Sequence, residues 1–425
     1  MLQEIMNRRN IERALLQVER NKGVGGVDGM QTDALRDYLH VNYSILSQEV
    51  ISGNYNPGAV KKVEIPKPQG GARMLGIPTV KDRLIQQAIS QWLSQFYEPG
   101  FSVFSYGFRP NKNAQQAVLQ AQTFLNEGKT YVIELDLEKF FDKVNHDKLM
   151  SLIMRKVTDK GTLNLIHKYL RSGIMEGGMM SQRTEGTPQG SPLSPLLSNI
   201  ILDELDKELT NRGHSFVRYA DDCSIYAGSE KAAQRVLASI TRYIEKSLKL
   251  KVNQEKSKVS LPTESTLLGF SFYNDKGTWQ IRVANKTIKR IKEKCKKITQ
   301  RNNGSNTNQK ITKLKAVIEG WVNYFSIARG KSAMQRLDEY VRVRLRMGLW
   351  KEWKNCKTRV ANLLRLKASK QKSYEWGNSS RGYCRIAHSP VLQTTLTKAY
   401  FTRNGYEGFL NTYNRKRQTT QTTLF

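Results

Sequence analysis

The 425-residue chain carries 69 Lys/Arg against 37 Asp/Glu, a formal charge of +32, which implies a polyanionic partner. Its length leaves room for several domains with a substantial core. Cys223, Cys295, Cys356 and Cys384 lie far apart, which excludes a disulfide framework and a Cys-x-x-Cys zinc module. No apolar stretch approaches the ~18 residues of a membrane span and the N-terminus lacks a secretory pattern, so a cytoplasmic protein without a membrane partner is expected.

In chain order, residues 1–50 alternate polar and apolar positions at helical spacing, with Ile5, Ile11, Leu15 and Val18, then Leu35 and Leu39. Between these two helices lies Asn21-Lys22-Gly23-Val24-Gly25-Gly26-Val27-Asp28-Gly29. It lacks the Gly-Lys-Ser/Thr of a phosphate-binding loop, so the residues alone favour a structural loop. Val63 to Pro78 predicts a strand, a tight turn and a returning strand, with Lys67 and Arg73 near the tip. An amphipathic helix follows over 79–96. Ser105-Tyr106-Gly107-Phe108-Arg109-Pro110-Asn111 has the form of a turn flanked by core aromatics.

Tyr131-Val132-Ile133-Glu134-Leu135-Asp136 predicts a strand ending in an acid, followed by a helical pattern over 143–154. Thr187-Pro188-Gln189-Gly190-Ser191-Pro192 predicts a rigid loop ahead of a helix over 196–209. Phe216 to Tyr226 then sets Tyr219-Ala220-Asp221-Asp222 between two apolar runs, a hairpin with an acidic pair at its turn. Most Asp-Asp turns are simply solvated. With Asp136 on a neighbouring strand, however, three carboxylates are available, and such oxygens suit Mg²⁺. Two ions held about 3.5–4 Å apart would serve in-line phosphoryl transfer.

These motifs resemble those of reverse transcriptases, and specifically the group II intron-encoded reverse transcriptases (maturases). The resemblance implies an α+β right-hand polymerase fold, with fingers, a palm built on an antiparallel sheet and an α-helical thumb. It implies catalysis by Asp136, Asp221 and Asp222, with Lys256 near the leaving pyrophosphate. Asp136, Leu137, Asp221 and Asp222 would hold two Mg²⁺ ions, for which Mn²⁺ could substitute. Lys67 and Arg73 would grip the triphosphate. Phe141, or its neighbour Phe140, would exclude a ribose 2′-OH, and Gln189, Gly190 and Ala220 would complete the nucleotide site. Asn21, Lys22, Arg109, Pro188, Leu268, Gly269, Arg342, Arg344 and Arg346 fall at positions expected to contact nucleic acid.

Charge supports a division of labour. Residues 1–280 hold 36 basic against 30 acidic side chains, whereas residues 281–425 hold 33 against 7. Helical periodicity, Trp321, Tyr324 and Trp350 accompany the basic third, which is expected to fold and bind RNA. The expected segments are 1–110 (N-terminal extension and fingers), 111–280 (palm), 281–367 (thumb, the maturase region) and 368–425 (a basic nucleic-acid-binding region). The resemblance implies an enzyme lacking an endonuclease domain, acting on an RNA template, a DNA or RNA primer, dNTPs and group II intron RNA. The other readings are a splicing chaperone with incidental polymerase activity and a domesticated enzyme of phage defence or repair.

Overall fold

A computed structural model describes residues 1–66, 71–176, 179–181 and 184–422. The chain divides into two compact units, Met1–Leu261 and Pro262–Phe425. The expected boundaries at 110, 280 and 367 do not mark this division.

In the first unit, β1 (Val60–Pro66) and β2 (Ala72–Ile77) form an antiparallel hairpin, and β1 also pairs in parallel with β4 (Ile174–Glu176), which pairs with β5 (Met179–Ser181). A second sheet has the order β6-β7-β3-β8, comprising β3 (Tyr131–Leu135), β6 (Ser215–Tyr219), β7 (Asp222–Ala227) and β8 (Lys258–Ser260). All its pairings are antiparallel. Val132, Ile133, Phe216, Val217 and Ile225 fill its interior, as β-branched and aromatic residues do on a packed pleated surface.

Helices close that core. The helix Val80–Tyr97 begins at Thr79, whose hydroxyl accepts from the Asp82 amide at 3.1 Å, an N-cap that fixes the start foreseen from sequence. The helix Ser194–Asn211 starts with Pro195 in its first turn, and Leu197, Ile201, Leu202, Leu205 and Leu209 are buried. Such an apolar helix requires neighbours all round.

The second unit opens with the hairpin of β9 (Phe270–Asp275) and β10 (Thr278–Val283). It belongs here rather than with the palm sheet because Phe270 packs on Phe325 and Tyr324, at ring separations of 4.8 and 5.6 Å. The helices Asn285–Ile298, Thr307–Phe325 and Lys331–Glu352 follow, with shorter ones to Thr422. Residues 368–425 form no separate body. Buried Asp338 accepts from the Tyr406 hydroxyl at 2.9 Å and from the amides of Phe409 and Leu410 at 2.7 and 2.9 Å. A carboxylate at a helix N-terminus satisfies amides that the helix cannot, which fastens the last helix to Lys331–Glu352.

Candidate active site

The site forms where β6 turns into β7. Tyr219 pairs with Asp222, so the turn consists of Ala220 and Asp221 alone. Two-residue hairpin turns require a left-handed residue, and Ala220 supplies it at φ 57. On the other side of β7, Leu135 of β3 pairs with Cys223. One step further along this register brings Asp136 level with Asp222.

Asp136 is held by its main chain: its amide donates to the Ser257 hydroxyl at 3.0 Å and its carbonyl accepts from the Asn253 amide at 2.9 Å. Its carboxylate meets the Lys256 ammonium at 3.4 Å, with the lysine side chain 67% exposed. The Leu137 side chain is buried, so only its main chain could offer a metal an oxygen. Asp222 lies at the surface. Its carboxyl is nonetheless pushed up to about 6, first by the protein packed around it and then by the charges of Asp221, Asp136 and Glu134.

Among the described residues, no three His, Cys, Asp or Glu side chains are arranged to enclose an ion. Mg²⁺ does not need such an enclosure, since it commonly takes one or two carboxylates and completes its shell with water and substrate phosphates. The donor set fits it: hard oxygens that repel one another, with Asp136 answered by a loosely held ammonium.

Beneath the turn lies a group that sequence reasoning missed. Arg218 and Asp206 are fully buried and paired, with guanidinium nitrogens 2.7 and 2.6 Å from the two carboxylate oxygens. Burial presses the Arg218 pKa down, but the charge and hydrogen bonds of Asp206, with smaller contributions, together turn the net direction upward. Burial pushes the Asp206 carboxyl up in turn, and the two-pronged geometry, with an arginine that keeps its charge, is that of an ion pair. Arg218 also donates to Asn199 Oδ1 at 3.0 Å, Ser105 Oγ at 2.8 Å and the Ala220 carbonyl at 2.9 Å. An arginine in an apolar strand ahead of two aspartates was the available signal, because a buried guanidinium requires a carboxylate partner.

The loop at 186–191 joins the pieces expected to flank a nucleotide. The Thr187 amide donates to the Phe141 carbonyl at 2.6 Å, and the Gly76 amide of β2 donates to the Gln189 carbonyl at 2.8 Å. Gly190 has φ +116, and a Cβ there would meet the Gly76 carbonyl at 2.7 Å, while a Cβ on Gly76 would meet Val60 Cγ1 at 2.6 Å, which explains glycine at both points. Gln189 is half-buried and Gly190 exposed. Pro188 is buried and so is a packing residue rather than a contact for nucleic acid. Phe140 and Phe141 stack edge to face at 5.2 Å, 2% and 8% exposed. Lys67 and the side chain of Arg73 lie outside the described residues.

The other expected nucleic-acid contacts divide sharply. Asn21 and Lys22 are exposed, while Gly23 and Gly26 bring their loop close against Arg83 and Thr79. Leu268 and Gly269 are half-buried, and their carbonyls accept from the Tyr324 hydroxyl at 3.2 Å and the Ala284 amide at 3.0 Å. Arg342 is half-buried.

Two of the expected arginine contacts, Arg109 and Arg346, are corrected. The Arg109 side chain is 6% exposed, paired with Glu98 at 2.7 Å, and donates to the Ser105 carbonyl at 2.9 Å. Arg346 is buried and donates twice to the Leu396 carbonyl, at 3.1 and 3.0 Å. Arg344 donates to the Thr299 hydroxyl at 3.2 Å and to the Thr299 carbonyl at 3.4 Å, at the end of the helix Asn285–Ile298. The Arg109 and Arg346 guanidinium groups are committed to the fold, whereas Arg344 is half-buried. Trp350 is 1% exposed and belongs to the core.

A carboxylate-tipped hairpin beside an acid-ended central strand, in an antiparallel sheet covered by helices, defines a polymerase palm. Residues 65–272 match the family "Reverse transcriptase (RNA-dependent DNA polymerase)", and residues 288–366 match "Group II intron, maturase-specific domain". Protein YkfC of Escherichia coli (strain K12) is 34% identical over 272 residues, 55% of this chain and 71% of that one. The putative COX1/OXI3 intron 2 protein of Saccharomyces cerevisiae is 28% identical over 58% of this chain and 36% of its own. The group II intron-encoded protein LtrA of Lactococcus lactis subsp. cremoris is 37% identical over 44% of this chain and 31% of its own. The chain thus spans most of YkfC but about a third of the other two. It belongs to the reverse transcriptases that carry a group II intron maturase domain, a family of RNA-directed DNA polymerases that act with divalent metal ions.

Proposed function

We propose that the protein copies RNA into DNA at the Ala220–Asp222 turn and uses its C-terminal unit to bind intron RNA and assist its splicing. The observation that carries this reading is the register of β3 on β7, which brings Asp136 level with Asp222. Asp136, Asp221 and Asp222, with the main chain of Leu137, would hold two Mg²⁺ ions. Bound there, such ions neutralise the charge developing on the transferred phosphoryl group and polarise its oxygens.

The remaining work falls to the chain. Lys256, largely exposed and only loosely paired, is free to turn toward the leaving pyrophosphate as a counter-charge. The loop through Gln189 and Gly190 supports the nucleotide, braced on Gly76. Phe141 has more surface than Phe140 and is the better candidate to collide with a 2′-OH, the group that distinguishes ribonucleotides.

The test is primer extension on an RNA template. Asp221→Asn lowers the rate by about 10³-fold or more, since a metal contact contributes several kcal/mol at ~1.4 kcal/mol per decade, while RNA binding persists. Extension above a tenth of the wild-type rate would overturn the assignment. In the same assay, Phe141→Ala admits ribonucleotides; relaxation by Phe140→Ala alone would move that role by one residue.

A further inference from the structure

Arg218 joins three parts of the first unit through four residues: Asp206 and Asn199 on the helix Ser194–Asn211, Ser105 in the loop before it in the chain, and the carbonyl of Ala220 in the turn. Its main chain is tied as well, with the Tyr106 amide donating to the Arg218 carbonyl at 2.8 Å and the Arg218 amide to the Phe104 carbonyl at 3.0 Å. The Asn199 side-chain Nδ2 donates in turn to the Gly107 carbonyl at 2.9 Å. A Cβ on Gly107 would lie 2.1 Å from the Ala220 nitrogen, so this backbone forms a floor directly under the turn.

Ala220 needs such support. A left-handed φ is unfavourable for any residue with a Cβ and persists only where the surroundings enforce it. The ion pair with Asp206 would satisfy the Arg218 charge without any contact to the turn. The additional bonds to Ala220, Asn199 and Ser105 serve the turn itself.

We propose that Arg218, braced by Asn199 and Ser105 over the Gly107 floor, is a positioning residue that fixes where Asp221 and Asp222 stand. This inference rests on the catalytic reading of those two carboxylates. It assigns the cluster a role in the reaction, where a buried ion pair of purely structural purpose would affect stability alone.

The test removes a brace and leaves the ion pair intact. In Asn199→Ala, kcat for nucleotide addition falls about 10- to 100-fold, the range a displacement near 1 Å produces, while KM for dNTP and the melting temperature hold. The Mn²⁺ concentration that half-saturates the protein–primer–template complex, read by electron paramagnetic resonance, rises several-fold. If Asn199→Ala melts early, Ser105→Ala removes another arm and is read the same way. Unchanged kcat and Mn²⁺ titration in a folded variant, or a loss of activity that follows melting temperature alone, would overturn the proposal. Failure of the catalytic reading itself would show separately, as Asp221→Asn retaining wild-type extension.

Discussion

Two acid–base pairs flank the same turn and are built in opposite ways. Under it, Asp206 and Arg218 meet at 2.6 Å with neither side chain exposed. At its mouth, Asp136 and Lys256 meet at 3.4 Å with the lysine mostly in water. The buried pair is saturated, every strong hydrogen-bonding direction of the guanidinium having a partner, which suits a part that must not move. The exposed pair leaves acid in excess: Asp222 is pushed up to about 6 partly by Asp221, Asp136 and Glu134. Charge is settled internally where the fold needs rigidity and held more loosely at the mouth, where the proposed reaction brings a cation and a polyphosphate.

The largest expected effect tests the buried side. Asp206→Ala leaves an unpaired guanidinium in the core, which costs about 3–5 kcal/mol and should shift the denaturant midpoint accordingly. Lys256→Ala breaks a screened surface contact and should cost less than about 1 kcal/mol. Equal losses in the two variants would erase the distinction between the pairs.

Much of this arrangement was legible in the sequence, and the reasons are local. The β-branched run ending at Asp136, the amphipathic helix that follows Pro78 and the Tyr-Ala-Asp-Asp turn each express themselves within a few residues, so period and turn chemistry suffice to read them. The family resemblance then supplied the α+β polymerase fold. Arg218 was not legible as a brace because its partners Asp206, Asn199 and Ser105 lie up to 113 residues away. Arg109, in a loop, is taken up by Glu98, 11 residues back, and Arg346 failed for a related reason. A run of basic residues on a helix looks solvent-facing in one dimension, whereas the carbonyl of Leu396, 50 residues on, takes up Arg346. Likewise, nothing in the apolar pattern of 267–283 says whether that hairpin joins the palm sheet or packs on Phe325.

The C-terminal unit extends the contrast between settled and open charge. Lys286, Arg290, Lys294 and Lys297 are exposed at spacings that place them on one face of the helix Asn285–Ile298. Replacing all four with Gln should lower the slope of log K against log salt for RNA binding by up to about 3, at roughly 0.7 per phosphate contact. Arg346→Gln should leave that slope unchanged and instead lower the melting temperature, because its donors serve Leu396. A salt slope that responds to Arg346 rather than to the four exposed positions would return the buried arginine to RNA binding.

The smallest effect probes the open charge directly. A carboxyl raised in the folded state holds its proton more tightly there than in the unfolded chain, so the fold loses stability as pH climbs from the ordinary Asp value toward 6 and does not recover it above. Asp222 is in that position. Asp222→Asn should therefore melt higher than wild type at pH 7 in the presence of a chelator, with the gain vanishing below about pH 4. Because Asp222 lies at the surface, solvent screening keeps the gain to about 1 kcal/mol or less, a shift of a few degrees at most. Adding millimolar Mg²⁺ or Mn²⁺ should reverse the order, since wild type gains the free energy of binding the ion and the variant loses a ligand for it. A variant that melts lower than wild type under chelation would mean the carboxylates are mutually accommodated without a cation, and the mouth of the turn would then be as settled as its floor.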